Sequence, residues 1–130
     1  MSYQLSLTQK PTYLHAVVTG TNSQENVAGY LEALRRECET RNCSRLLIEE
    51  RLEGPRLGTL GVFEVASVAS ERVRGKLRAV AYVDVNAAGH LMKFAENVAA
   101  NRGLPVTVFA SVSEAETWLL GKASEAPKTE

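Results

Sequence analysis

Residues able to do chemistry concentrate between Ser44 and Val68, in the string SRLLIEERLEGPRLGTLGVFEVASV. Leu46-Leu47-Ile48 reads as a short apolar strand that runs into Glu49-Glu50-Arg51, after which a Gly/Pro-bearing loop leads to an apolar helix beginning near Gly58. Two carboxylates in succession invite an acid–base reading. Neighbouring residues on a strand point to opposite faces, however, so the pair cannot serve one glycosidic bond. If Glu49 turns toward the core, Arg51, Arg56 or a helix N-terminus must satisfy it; a loop-organising carboxylate follows more readily than a general acid or base. Thr59 is the only hydroxyl between Arg51 and Ser67. At the start of a helix it lies where a phosphate would meet free N–H groups and the positive dipole end, and the simpler role there is an N-cap or first-turn threonine.

Other constellations fall short of a known chemistry. Gly54-Pro55-Arg56-Leu57-Gly58-Thr59-Leu60-Gly61 matches neither GxGxxG nor GxxxxGK[ST] and lacks the phosphate-binding lysine. No GxSxG occurs; His15 falls mid-strand and His90 on the first turns of a helix, so no nucleophile has a visible base. Cys38 and Cys43 lack CxxC spacing and a nearby histidine. They read as reduced thiols, Cys38 on a helix face, and no metal site or cofactor is expected. An enzyme is therefore not expected.

Composition bounds the remaining classes. At 130 residues, 45% hydrophobic and 23% charged, the chain suits one globular domain. Fifteen basic and fifteen acidic residues cancel, so nucleic acid and anionic membranes are not expected partners. The basic run Glu71-Arg72-Val73-Arg74-Gly75-Lys76 lacks interleaved aromatics and reads as a solvated helix end. No stretch is long and apolar enough for a transmembrane segment. MSYQLSLTQKPTY has no basic stretch followed by a long apolar run, so a secretory leader is not expected and the location is read as cytoplasmic.

The elements that must position these residues follow from periodicity. Tyr3–Thr8 alternates, Lys10-Pro11 breaks it, and Tyr13–Thr19 forms a second strand, close enough to pair as an antiparallel hairpin. Leu14, Ala16 and Val18 then share one face, with Tyr13, His15 and Val17 on the other. Asn22 with Glu25, or Thr21 with Gln24, could form a capping box for a first helix carrying Val27, Leu31, Leu34 and Cys38, which Asn42 ends. Arg45–Glu50 is a strand covered on both faces. A well-buried second helix carries Leu60, Phe63, Ala66, Ser67 and Ser70; Leu77–Val85 is the fourth strand; Leu91, Phe94, Ala95, Val98 and Arg102 mark a third helix stopped by Gly103 and Pro105. Val106–Phe109 is the fifth strand, and Ser113 with Glu116 forms a capping box before a last helix ending at Gly121. One domain thus spans 1–121, and residues 122–130, polar and Pro-containing, read as a disordered tail. Alternation after the hairpin argues an α/β fold with a mostly parallel sheet.

Element order and several strings resemble the STAS, or SpoIIAA-like, domains, the bacterial anti-sigma factor antagonists and their relatives, in a divergent stand-alone branch. The strings are Tyr13-Leu14 to Gly20, Arg45–Glu50, Phe94-Ala95-Glu96-Asn97 to Arg102-Gly103, and Val108-Phe109 with Glu114–Leu119. The resemblance implies a β-α superhelix, a five-stranded mostly parallel sheet with an antiparallel N-terminal strand and four helices. Phosphoregulated members carry Asp-Ser-Ser-Gly-Leu-Gly after the strand corresponding to Arg45–Glu50, and a kinase partner phosphorylates the first serine. Leu60-Gly61 resembles the end of that motif, which puts Leu57 at the serine and Arg56 at the aspartate. The switch residue is thus apolar, and phosphorylation does not carry over.

Two functions follow. One is a non-catalytic signalling module that docks a regulatory protein partner through an exposed loop from Glu50 to Thr59, with Leu52 and Leu57 as solvent-exposed leucines beside Arg51 and Arg56. The other is a small apolar, lipid-like or anionic ligand held at the carboxyl edge of the sheet by Gly20, Thr21, Glu50, Thr59, Asp84 and Asn86. A homodimer is left open, through an exposed apolar second helix.

Overall fold

The computed structural model describes residues 3–54, 61, 64–65, 67–68, 77–84, 93, 96–98, 100–101 and 106–125. Five strands, β1 (Tyr3–Gln9), β2 (Leu14–Thr21), β3 (Arg45–Glu53), β4 (Ala79–Asp84) and β5 (Val106–Phe109), make one sheet whose spatial order follows the chain. The β1–β2 hairpin is antiparallel, and β2, β3, β4 and β5 are mutually parallel neighbours. Two helices are continuous, α1 (Gln24–Arg41) and α2 (Val112–Glu125). Helical backbone is also present at residues 61, 64–65, 67–68, 93, 96–98 and 100–101. The fold is α/β with a mixed sheet.

A sheet that always advances in the same direction through right-handed crossovers collects its crossover helices on one face. The packing agrees. Tyr30, Leu34 and Cys38 of α1, with Val65, lie against Leu14, Ala16 and Val18 of β2 and Leu46, Ile48 and Leu52 of β3. Ala115 and Leu119 of α2 close the other face over Tyr13, Leu47, Ala79, Ala81 and Val83. Strand alternation divides β2 as the sequence pattern requires, with Leu14, Ala16 and Val18 buried toward α1.

Helix ends differ from the sequence reading at both N-termini. Ser23 caps α1, its hydroxyl accepting the Asn26 N–H at 3.0 Å. Neither expected capping box forms, because Thr21 is still strand and the Asn22 N–H donates to the Glu53 carbonyl at 2.7 Å. At the far end Asn42 adopts φ 55°, and its N–H and that of Cys43 return to the carbonyls of Glu39 and Cys38, a Schellman-type stop. Ser111, not Ser113, caps α2 by accepting the Glu114 N–H at 3.2 Å. The helix continues through Gly121 to Glu125, into the stretch read as tail.

The largest correction concerns β3. The strand runs on to Glu53, beyond the expected stop at Glu50, and Gly54 at φ 103° ends it. Its period places Leu46, Ile48, Glu50 and Leu52 on one face, so Leu52 is fully buried and not an exposed docking leucine. Conversely, Val68 is 52% exposed on a stretch expected to be well buried. Leu52→Ala should therefore cost about 2–5 kcal/mol in urea unfolding, whereas Val68→Ala should leave the midpoint nearly unchanged. A loss below about 1 kcal/mol for Leu52 would contradict the extended strand.

Candidate functional site

The β3–β4 register pairs Ile48 with Tyr82 and Glu50 with Asp84. Since side chains alternate, Tyr82, Glu50 and Asp84 emerge on the α1 face at the carboxyl end of the parallel strands. Above them lies Tyr30, three residues after Val27 and four before Leu34 on the buried stripe of α1. Tyr30 is fully buried and Glu50 only 2% exposed. Both tyrosine hydroxyls donate to Oε1 of Glu50, and the two hydroxyl oxygens are 3.1 Å apart. Asp84 hydrogen-bonds the Glu50 carboxyl as well. Tyr3 at the start of β1 packs edge-on against the Tyr30 ring, centroids 6.2 Å apart, and so fixes its position.

Electrostatics follow from the burial. Loss of water raises the Glu50 pKa, the Asp84 charge and hydrogen bond raise it further, and the two tyrosine hydroxyls pull it back, leaving it at about 7. Near neutrality the Glu50 carboxyl is therefore partly protonated. Burial, followed by the neighbouring charges, pushes Tyr30 and Tyr82 well above the ordinary 10.0, so both remain neutral donors. A carboxyl that titrates near 7 suits general acid–base work. This one is covered by the tyrosines that tie α1, β3 and β4 together, and it acts as a clamp.

Glu49 points the other way and has its own partners. Its carboxylate accepts from Arg51 Nε at 2.5 Å and lies 3.0 Å from His15 Nε2. Burial alone would raise its pKa, but the hydrogen bonds and charges of Arg51 and His15 outweigh that and hold it below the usual range. On the same face Tyr13 donates to Glu116 at 2.5 Å, tying α2 to the start of β2. Burial and that carboxylate push the Tyr13 hydroxyl up to about 12. Among the described residues no hydroxyl or thiol is hydrogen-bonded to His15. Both cysteines are free, and burial pushes the Cys38 thiol up to about 12, far from a reactive thiolate.

Of the residues singled out from sequence, Glu50 and Asp84 meet in one cluster, whereas Arg51 lies on the opposite face with Glu49. Gly20 and Thr21 are exposed at the end of β2, and Arg56, Leu57, Thr59 and Asn86 lie outside the described residues. So does His90. The tyrosines were missed. Their signal was present: a carboxylate on the core-facing period of a strand needs donors, and Tyr30 and Tyr82 are tyrosines within otherwise apolar stripes.

Among the described residues no three His, Cys, Asp or Glu could hold a metal ion, and no helix is long and apolar enough to cross a membrane. In comparisons with known proteins, no family model matches the chain and no curated protein matches it.

The clamp makes stability depend on pH with a definite sign. Glu50 binds its proton more tightly folded than unfolded, so its contribution is complete below the ordinary 4.5 and is lost as pH rises toward about 7. Glu49 acts oppositely, contributing above 4.5 and losing that contribution as pH falls through its lowered value. Glu50→Gln keeps the tyrosine bonds and removes the titration. It should cancel a fall of about 3 kcal/mol between pH 4.5 and 7 in urea unfolding. Tyr30→Phe, by removing a donor to the carboxylate, should displace that fall to higher pH. An identical pH slope in the wild type and Glu50→Gln would refute the assignment.

Proposed function

We propose that the chain is a STAS-like, non-catalytic regulatory module that docks a protein partner at the carboxyl edge of its sheet and lacks the phosphorylatable serine switch. Support begins with topology. The strand order β1-β2-β3-β4-β5, antiparallel only at β1, fits a β-α superhelix with an added N-terminal strand. The helical backbone within 61–68 and 93–101, together with α1 and α2, fits the four helices of that reading.

The observation that carries the proposal is the sealed Glu50 cluster. It ties the ends of β3 and β4 to each other and to α1. A rigid platform at the strand ends is what a docking edge requires. Around it Thr19, Gly20 and Thr21 of β2, Arg51 and Glu53 of β3, and Gly54 just beyond it are exposed. Docking would then begin beyond Leu52, through Arg56, Leu57 and Thr59, with Asn86 from the neighbouring segment. A small ligand at this edge is the weaker reading: Glu50, Glu53 and Asp84 disfavour an anion, and the buried Tyr30 and Tyr82 hydroxyls with Glu50 make the strand ends polar for an apolar one. Such a module would work in the cytoplasm.

Native mass spectrometry of the protein recovered from its own cells tests the proposal. The wild type should carry a protein partner and no phosphate on Thr59. Leu57→Asp should reduce the bound fraction about tenfold, the scale of one well-packed interface residue, while Thr40→Asp, exposed near the end of α1, should not. Retention of the partner by Leu57→Asp, or phosphate on Thr59, would count against this reading.

A further inference from the structure

The lateral edge formed by β1 has the properties of a pairing surface. β1 is the outermost strand, and among the described residues nothing pairs along its free side. Its seven residues, Tyr3-Gln4-Leu5-Ser6-Leu7-Thr8-Gln9, contain no charge, no proline and no glycine. The register with β2 runs from Tyr3 opposite Gly20 to Gln9 opposite Leu14 without a bulge. Proteins ordinarily protect an open edge with inward charges, proline, a bulge or a very short strand. Here β5, the other edge, has only four residues, while β1 uses none of these devices.

We propose that β1 pairs antiparallel with β1 of a second copy, giving a two-fold dimer with a continuous ten-stranded sheet. The strand is complementary to itself about Ser6. A two-fold axis normal to the sheet there sets Ser6 opposite Ser6 of the second copy, Leu5 opposite Leu7, Gln4 opposite Thr8 and Tyr3 opposite Gln9. Opposed residues in an antiparallel pair share a face. Tyr3, Leu5 and Leu7, partly buried against the α1-side core, would thus extend that core into the partner, and exposed Gln4, Ser6 and Thr8 would continue the polar face. A formal net charge of zero adds no overall repulsion between copies. The inference rests on the strand edge and is independent of the docking segment after β3.

Sedimentation velocity from about 5 to about 500 μM covers the range in which a small edge interface associates. The wild type should shift from monomer to dimer across it. Ser6→Lys and Ser6→Glu each oppose two like charges at the axis and should remain monomeric, with unchanged far-ultraviolet circular dichroism because Ser6 is exposed. An equimolar mixture of the two variants should dimerise again. Val68→Lys, on the exposed part of the second helical stretch, should dimerise like the wild type. The proposal is overturned by a wild type that stays monomeric throughout, by Ser6 variants that dimerise unaltered, by a mixture that does not recover, or by loss of the dimer in Val68→Lys.

Discussion

A carboxyl with 2% exposure must be neutralised or supplied with several donors, because taking its charge out of water costs several kcal/mol. Glu50 uses both routes. Burial and the neighbouring Asp84 push it toward protonation, and it accepts from Tyr30 and Tyr82, so that its partners come from α1 and from β4, well separated in the chain. The requirement constrains three elements together. α1 must be rotated so that Tyr30 points at the strand end, and β4 must stand in the register that sets Asp84 beside Glu50 and Tyr82 one pleat below. A slip of one residue in either strand would turn a carboxyl or a tyrosine to the other face and leave its partners buried without it. Apolar packing tolerates approximate fits; this cluster selects one arrangement.

The adjacent residue shows how the strand's period of two separates chemistry that is contiguous in sequence. Glu49 and Glu50 are neighbours, yet one is held ionised by Arg51 and His15 while the other is pushed toward protonation. The difference lies in the partners available on each face. β2 presents His15 on the side away from α1, where Arg51 also reaches back along β3, whereas the α1 side offers two neutral hydroxyls and a second carboxyl. Two carboxylates of the same type thus titrate in opposite directions across one strand.

Features set by short-range chemistry were legible in the sequence. The β1–β2 hairpin, the bounds of β5, the αL stop at Asn42 and the divergence of Glu49 from Glu50 all follow from alternation, turn residues or side-chain chirality. The errors share another cause, competition from partners distant in sequence. The Asn22 N–H is engaged by Glu53 and α1 is capped one residue later by Ser23, while α2 already starts at Val112, so that Ser111 caps it and Glu116 is engaged by Tyr13. Leu52 looked like loop because charges surround it; only the continuation of β3 pairing as far as Thr21 opposite Glu53 shows it to be core. The clamp was half-visible. Glu50 and Asp84 stood out as residues at strand ends, whereas Tyr30 passes as an ordinary member of a helical stripe until β3 and β4 are placed beneath it.

The geometry also relates the two proposed surfaces. The carboxyl ends of β3 and β4 lie at one end of the sheet, whereas β1 offers its flank two strands from β3, about 10 Å at ordinary strand spacing. Pairing along β1 would therefore not cover the docking edge. A two-fold normal to the sheet reverses strand direction between copies, so the carboxyl edge of one β3 would face the opposite end of the extended sheet from the other. A self-paired protein would present its two docking edges pointing apart, able to hold two partner molecules but poorly placed to grip a single compact one twice. Self-association would then change how many partners are gathered, and each Glu50 clamp would support its own edge without reference to the other.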